Sequence, residues 1–343
     1  MKAVTINYHG DLDALKFAEI DNPTISSNEI LIQTKAAALN HLDIFVRKGI
    51  PGLELKFPHI LGADGAGIVA EIGSHVKNFK VGDRVLVNPG LSCNRCEFCL
   101  SGEHSQCLKF SILGEQTHGT FAEYFKVPEE NAYPIPGHLS FQDGAALPLT
   151  FLTAWRLLVS KARIRAGESL LIIGIGGGVA GAALQIGKLS GARVFVTSGS
   201  NEKLEKAREF GADETLNHKQ SDYAQQIHAI TKKAGVDVVF DSVGTQTWEK
   251  SIKCLKRGGR LVTCGATSGS SANIDIPRLF WNQISIFGST MANRKEFLDM
   301  MRAVDYGKIK PIIDRVFPLK DALSAQKRME DQNQFGKIVL SCE

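Results

Sequence analysis

The chain has 343 residues, 43% hydrophobic and 22% charged, which suffices for two domains with a sizeable core and excludes global disorder. A formal charge of +4 without any block of five or six like charges gives no support for a nucleic-acid partner or a membrane surface. Two excesses are local: 33 glycines, and seven cysteines of which four fall within residues 93–107.

The first residues, Met1-Lys2-Ala3-Val4-Thr5, read as a strand and lack the apolar core of a signal peptide. Residues 170–184 form the longest uncharged apolar run, and it is shorter than the ~20 residues a membrane span needs. A cytoplasmic, reducing compartment is expected, where clustered cysteines hold metal more readily than they form disulfides. Up to residue 140 the chain shows short strand-like runs (29–34, 67–73, 83–87) broken by Gly, Pro and Asn, which predicts a β-rich domain. The rhythm then changes. Strands are expected at 169–173, 193–197, 236–241 and 260–265, and helices at 179–190, 201–210, 221–234 and 246–256. Such alternation predicts an α/β class, with a doubly wound parallel sheet over 141–290. From residue 291 the pattern gives a helix, a strand at 312–317, a second helix and a last strand at 337–340.

Cys93-x2-Cys96-x2-Cys99-x7-Cys107 offers four thiolates in one loop. Tetrahedral zinc takes such a set, and four sulfurs leave no position for water or substrate, so one structural zinc per chain is expected. Two disulfides or an iron–sulfur cluster are the alternatives, and a reducing compartment argues against the first. Cys254, Cys264 and Cys342 have no such neighbours in sequence.

After the apolar run 170–173 comes Gly174-Ile175-Gly176-Gly177-Gly178-Val179-Ala180-Gly181, and then a helical pattern. Strand, glycine turn and helix bring backbone N–H groups and a helix N-terminus to a pyrophosphate, where a side chain would block close approach. Three registers are open: Gly174-x-Gly176-x-x-Val179, Gly176-x-Gly178-x-x-Gly181, and the looser Gly174-x-x-Gly177-x-x-Ala180. The next strand runs into Thr197-Ser198-Gly199-Ser200-Asn201-Glu202-Lys203, with no acidic residue between Glu168 and Glu202. A carboxylate there would accept the ribose 2′-hydroxyl of NAD and repel a 2′-phosphate, so its absence favours NADPH. Ser198, Gly199 and Lys203 are the candidate contacts, although Lys203 also fits a solvated first-turn position. Gly265, ending the strand run 260–265, completes the cofactor candidates.

A glycine-turn domain following a β-rich domain with this four-cysteine lobe resembles the zinc-containing medium-chain dehydrogenase/reductase family. So do Val81-Gly82-Asp83-Arg84-Val85, Gly119-Thr120-Phe121-Ala122-Glu123-Tyr124, Asp237-Val238-Val239-Phe240-Asp241-Ser242-Val243-Gly244 and Phe335-Gly336-Lys337. The resemblance implies a GroES-like domain from both chain ends (1–140 completed by 291–343) around a central Rossmann domain, with the active site in the cleft between them and assembly as a homodimer or homotetramer. An edge strand near Ile284-Ser285-Ile286-Phe287 is the expected contact. Alcohol dehydrogenases of this family hold a second, catalytic zinc. At the corresponding positions this chain has Asn40-His41-Leu42-Asp43, Gly62-Ala63-Asp64 and Pro148-Leu149-Thr150, too few ligands for a zinc that also binds substrate. Asp64 and His41 could form a different metal site only with a further ligand.

Asn40-x-x-Asp43-x-x-x-Arg47-x-Gly49 and Gly199-Ser200-x-x-Lys203 are instead similar to the quinone oxidoreductase branch, which lacks catalytic zinc and mostly lacks the cysteine lobe. The implied activity is NADPH-dependent reduction of a quinone or α,β-unsaturated carbonyl compound, a small-molecule substrate that spreads developing charge over its own conjugated system. Asn40 is then the expected polar donor to nicotinamide or substrate oxygen. Asp43 orients neighbours or pairs with Arg47 at i,i+4. Glu115 and His118 fall in a loop with no assigned role. A zinc alcohol dehydrogenase with atypical ligands, and a non-catalytic NADPH-binding or structural protein, are the competing readings.

Overall fold

Glu29–Ala38 buries Ile30, Leu31 and Ile32 at one end and Ala36, Ala37 and Ala38 at the other, on both faces, and is the longest strand of a seven-stranded sheet. In the computed structural model, which describes residues 1–342, its neighbours run in the order Ala132–Pro134, Arg84–Val87, Asp64–Ile72, Glu29–Ala38, Lys337–Ser341, Ile313–Pro318. Tyr124–Pro128 pairs with the first half of the long strand and Lys337–Ser341 with its end, on one edge in succession. A three-stranded sheet of Leu15–Glu19, Lys2–Ile6 and His59–Ile60 completes the β-rich part. These strands belong to one compact unit: Met1–Leu149, Asn293–Phe297 and Lys310–Glu343. One of its apolar clusters gathers Ile6, Leu39, Val46, Leu61, Phe121 and Leu340; another gathers Ile30, Ile32, Val69, Val85 and Phe125.

Register brings three polar residues to one end of this sheet. Ala38 pairs with Asp64 on one side and with Val339 on the other, and Leu39 N–H donates to the Ile338 carbonyl at 2.9 Å. Asn40 and Lys337 therefore follow as the next opposed positions, beside Asp64. Gly336 aims the final strand: its φ is +106°, and the Lys337 N–H donates to the Ile312 carbonyl at 2.7 Å.

The second unit, Thr150–Ala292 with Leu298–Ile309, holds a six-stranded parallel sheet. Its order is Glu214–Asn217, Arg193–Ser198, Ser169–Ile172, Val236–Phe240, Leu255–Thr263, Ser285–Gly288. In chain order this is 3-2-1-4-5-6, the doubly wound arrangement whose order reverses beside the first strand. Continuous apolar runs such as Val236–Phe240 are buried on both faces, as parallel strands require. Leu171, Phe195, Val239, Ile227 and Ile252 pack together in its core.

The strands and helices expected in this unit are present with boundary shifts of a few residues, as in Gly178–Leu189, Asn201–Glu209 and Tyr223–Ile230. Several elements had no sequence signal. The strand Glu214–Asn217 is short and polar, and the helix Pro148–Trp155 is apolar all round, so neither shows a period. The helix Ile276–Trp281 is only six residues long. No helix among the described residues is long and apolar enough to cross a membrane.

A Cβ at Gly336 would lie 2.3 Å from the Ile312 carbonyl oxygen, on a backbone that side chains disfavour. Gly336→Ala is expected to lower the unfolding free energy by roughly 2–5 kcal/mol in urea titration; a loss below about 1 kcal/mol would contradict this account of the turn.

Candidate active site and metal centre

Asn40 precedes the helix His41–Lys48, Asp64 begins a strand, and Lys337 begins the last one. All three are buried, at 5%, 0% and 3% exposure. The Lys337 ammonium donates to Asn40 Oδ1 at 2.7 Å and to Asp64 Oδ2 at 2.8 Å, and Asn40 Nδ2 donates to the same Asp64 oxygen at 3.0 Å. The other Asp64 oxygen accepts from the Leu149 N–H at 2.8 Å. A buried carboxylate is tolerable only when paired and hydrogen-bonded, and here both conditions are met.

Asp43 sits beside this triangle and closes the helix start. Its Oδ2 accepts from the Asn40 N–H at 2.7 Å and its Oδ1 from the Gly62 N–H at 3.1 Å. Burial pushes its carboxyl up to about 7, against the pull of those N–H groups and of Lys337, while the nearby Asp64 pushes it further up. The pairing of Asp43 with Arg47 is corrected: the Arg47 guanidinium bonds Glu330 at 2.5 Å. The expectation that Asn40 offers a donor to substrate also needs revision, because both ends of its amide are engaged: Nδ2 reaches Asp64 and, at 3.4 Å, the Ala38 carbonyl. His41 is held below its ordinary value by burial and by the charge of Lys337.

The His118 loop has a structural explanation. His118 Nδ1 accepts from the Ile60 N–H at 3.3 Å, and its ring lies 5.4 Å from that of His59. The His59 Nε2 meets the Gly114 carbonyl at 3.2 Å. Glu115 is half-buried, and burial raises its carboxyl.

The four lobe cysteines converge, with their sulfurs all within 4.8 Å of one another and no disulfide among them. Tetrahedral zinc at ~2.3 Å from each sulfur needs separations of about 3.8 Å, which this set meets with small adjustment. Backbone N–H groups of Cys93 and Lys109 point at the Cys107 sulfur, both at 3.3 Å. Those of Cys99 and Leu108 pull the Cys96 thiol down to about 6. Donors of this kind favour thiolates, the form that ligates a metal. The residues therefore fit a closed structural site.

In the parallel-sheet unit, Gly174 leaves the first strand with φ +74°, Gly176 follows at φ +139°, and Gly177 caps the helix Gly178–Leu189. The N–H groups of Gly174 and Ile175 are tied to Thr197, through its side chain at 3.0 Å and its carbonyl at 2.8 Å. The first helical bond runs from the Gly181 N–H to the Gly177 carbonyl, so Gly178, Val179 and Ala180 carry the N–H groups a helix start leaves to an anion. This geometry matches the Gly174–Gly177–Ala180 register, with Ala180 buried. Gly265 lies beside Ser242 on the same C-terminal edge of the sheet, the edge where ligands of open α/β sheets bind.

Around the end of the second strand the structure assembles a cationic, hydroxyl-bearing corner. Lys203 crosses the loop so closely that a Cβ at Gly176 would come within 3.0 Å of its side chain. Ser198 Oγ accepts from the Ser200 N–H at 3.2 Å. A Cβ at Gly199 would meet Lys219 Cε at 2.7 Å and His218 Nε2 at 3.1 Å. The sequence reading missed His218 and Lys219, because they follow the unexpected strand Glu214–Asn217. The available signal was topological: a residue ending the neighbouring parallel strand returns to the same edge.

A Rossmann unit with an anion-binding turn, joined in one chain to a GroES-like unit with a four-cysteine lobe, defines a dinucleotide-dependent oxidoreductase. Residues 26–137 match the description "Alcohol dehydrogenase GroES-like domain" and residues 178–305 match "Zinc-binding dehydrogenase". A quinone oxidoreductase of Rattus norvegicus is 30% identical, over 99% of this chain and 97% of its own. An acryloyl-coenzyme A reductase of Sulfurisphaera tokodaii is 29% identical over 99% of both chains. A solved structure described as an NAD-dependent alcohol dehydrogenase superposes with a TM-score of 0.97 at 44% identity, covering 100% of each chain. The chain belongs to the zinc-type medium-chain dehydrogenase/reductase family.

His59 is 3% exposed, and burial, with the neighbouring His118 and His9, lowers its imidazole to about 4. The folded protein thus keeps it neutral while the unfolded chain takes up a proton below about 6.5. Its contribution is present above pH 6.5 and lost as pH falls towards 4, a change on the order of 3 kcal/mol. Urea titrations across that window should show the fall in wild-type protein and a shallower one in His59→Gln; equal slopes would contradict the assignment.

Proposed function

We propose that the protein reduces a quinone or an α,β-unsaturated carbonyl compound with NADPH, without a catalytic zinc. The observation that carries this reading is the ligand exchange around Asp64. Where alcohol dehydrogenases of the family supply metal ligands, this chain has Asn40, Ala63 and, around the third position, Pro148-Leu149-Thr150 without a cysteine, and the nearby Asp64 carboxylate is paired with the Lys337 ammonium. A simple ketone or alcohol needs a Lewis acid to carry its developing charge. A conjugated substrate carries much of that charge itself, so hydrogen-bond donors suffice.

A reduced nicotinamide bound to this chain would supply the hydride. The turn Gly174, Gly176, Gly177, Gly178 and Val179, with Gly265, would hold its pyrophosphate and ribose by backbone groups. Ser198, Gly199 and Lys203, joined by His218 and Lys219, would take the 2′-phosphate. Cys93, Cys96, Cys99 and Cys107 would hold one structural zinc. The reducing interior of the cell suits that lobe. Assembly as a homodimer or homotetramer through the edge strand Ser285–Gly288 is supported by Phe280 and Trp281, which stand 63% and 68% exposed just before it.

One observation favours a second reading. The solved structure at 44% identity is described as an NAD-dependent alcohol dehydrogenase, which points to alcohol oxidation; in the alcohol dehydrogenases that the family resemblance implies, that reaction uses a second zinc. Metal analysis and turnover separate the two. We expect one zinc per chain, lost in Cys96→Ser, and NADPH oxidation with an enone or quinone but none of NADP+ reduction with simple alcohols. Two zinc ions with alcohol oxidation would establish the other reading, and tight NADPH binding without any turnover a non-catalytic role.

The cofactor assignment has its own measurement. Lys219→Ala should weaken NADPH about 10-fold or more, the worth of one charge-assisted bond, while NADH changes less than about twofold. Equal losses for both cofactors would remove the 2′-phosphate from this corner.

A further inference from the structure

Two of the four lobe cysteines are spaced as a reactive pair. The Cys96 and Cys99 sulfurs stand 3.5 Å apart at the start of the short helix Glu97–Leu100. The Leu100 N–H donates to the Cys96 carbonyl at 2.9 Å, so Cys96 already lies on the helical path. Three residues along such a path separate Cα atoms by about 5 Å, within the range a disulfide spans without backbone movement. The other Cys-x2-Cys step near it, Cys93 to Cys96, passes through Asn94 at φ +58°, outside a helix. Cys96 is partly exposed, whereas Cys99 is buried. Reaction of a cysteine with a peroxide follows thiolate character and exposure, and is favoured by a second cysteine within reach. Cys96 and Cys99 divide those roles between them. The lobe around them has little else to hold it. Its helix is four residues long, its strands Gly90–Leu91 and Ser111–Ile112 have two residues each, and Leu100 and Leu108 stand 76% and 75% exposed. A segment of this kind draws its order from the ion that its ligands share. That order reaches beyond the lobe: the Asn94 amide donates to Glu130 at 2.6 Å, and the same Glu130 oxygen accepts from Arg294, the first residue of the helix Arg294–Asp305, at 3.3 Å.

We propose that Cys96 and Cys99 are an oxidation site for hydroperoxides, and that closing a disulfide between them releases the lobe's zinc and loosens the lobe. This rests on the reading of the lobe as a zinc site and is independent of the substrate the protein reduces. The Cys96 sulfur attacks one oxygen of the peroxide; the O–O bond breaks, a sulfenic acid forms on Cys96, and the second oxygen leaves as hydroxide. The Cys99 sulfur then displaces hydroxide from Cys96 and the S–S bond closes. The two sulfurs lose two electrons between them, the peroxide gains two, and two protons from solvent turn the hydroxides into water. The lobe is left with two thiolates in place of four, too few to keep the ion. A disulfide across one helical turn closes a very short ring and restrains little of the chain, so it does not replace the metal as a staple. Cys93 and Cys107 keep their thiols, and a dithiol reductant with zinc rebuilds the site.

The test uses the wild-type, full-length, zinc-loaded protein and hydrogen peroxide, so no variant has to fold. Zinc is followed with a chelating dye, thiols by alkylation, and the bond by peptide mass mapping. One zinc per chain should be freed as two of the seven thiols disappear and the protein mass falls by two hydrogens. Alkylation after the reaction should label Cys93 and Cys107 but neither Cys96 nor Cys99. Brief trypsin treatment should cut after Arg95, exposed between two of the ligands, in the oxidised protein and leave the zinc-loaded protein intact there. Dithiothreitol with added zinc should reverse each change. Zinc retained while thiols are lost, a disulfide that includes Cys93 or Cys107, or a Cys96 sulfur oxidised beyond recovery by dithiothreitol would each overturn the proposal and leave the zinc site standing. Protein that carries no zinc before peroxide is added overturns the metal reading and the proposal with it.

Discussion

A lysine buried beside an aspartate is the constraint on which the β-rich unit turns. Neither charge is tolerable alone at that depth, so the strand that brings Lys337 has to meet the strand that brings Asp64, with Asn40 between them. Residues distant in sequence, 40, 64, 149 and 337, are thereby held within hydrogen-bond range of one carboxylate or one ammonium. The flanking structure serves this arrangement. Gly336 turns the chain through a backbone angle open to glycine, and Asp43 pins the helix start to Gly62.

The same economy of position governs the parallel sheet. The turn after the first strand is built from glycines, and its first N–H groups are tied to Thr197 on the next strand. That tie keeps the turn against the sheet edge where Ser198, Lys203, His218 and Lys219 also arrive. Three segments separate in sequence thus converge on one corner, with no acidic side chain between Glu168 and Glu202 to oppose an anion.

Chemically, the two zinc questions separate cleanly. The lobe site is local: four cysteines in fifteen residues can wrap one ion with little help from the rest of the chain. The catalytic position is not local, since its ligands would come from three distant segments. In this chain Asn40, Ala63 and the segment Pro148-Leu149-Thr150 fall at or around those positions, and Lys337 is bonded to Asn40 and Asp64 beside them.

The sequence alone was enough for what depends on spacing within a short segment: the β-rich and β-α alternations, the glycine turn and the cysteine lobe. Boundaries of amphipathic or strongly apolar elements were legible for the same reason, whereas Glu214–Asn217 and Pro148–Trp155 carried no period to read. Asn40 was found by its motif, but its donors were already committed, and no motif shows what an amide is bonded to. Only the tertiary structure decided that Lys337 meets Asp64, that Arg47 turns to Glu330, and that His218 and Lys219 reach the corner of Gly199. The physical reason is that strand register, not sequence distance, sets which side chains share a hydrogen bond, and register is fixed by the burial of whole sheets.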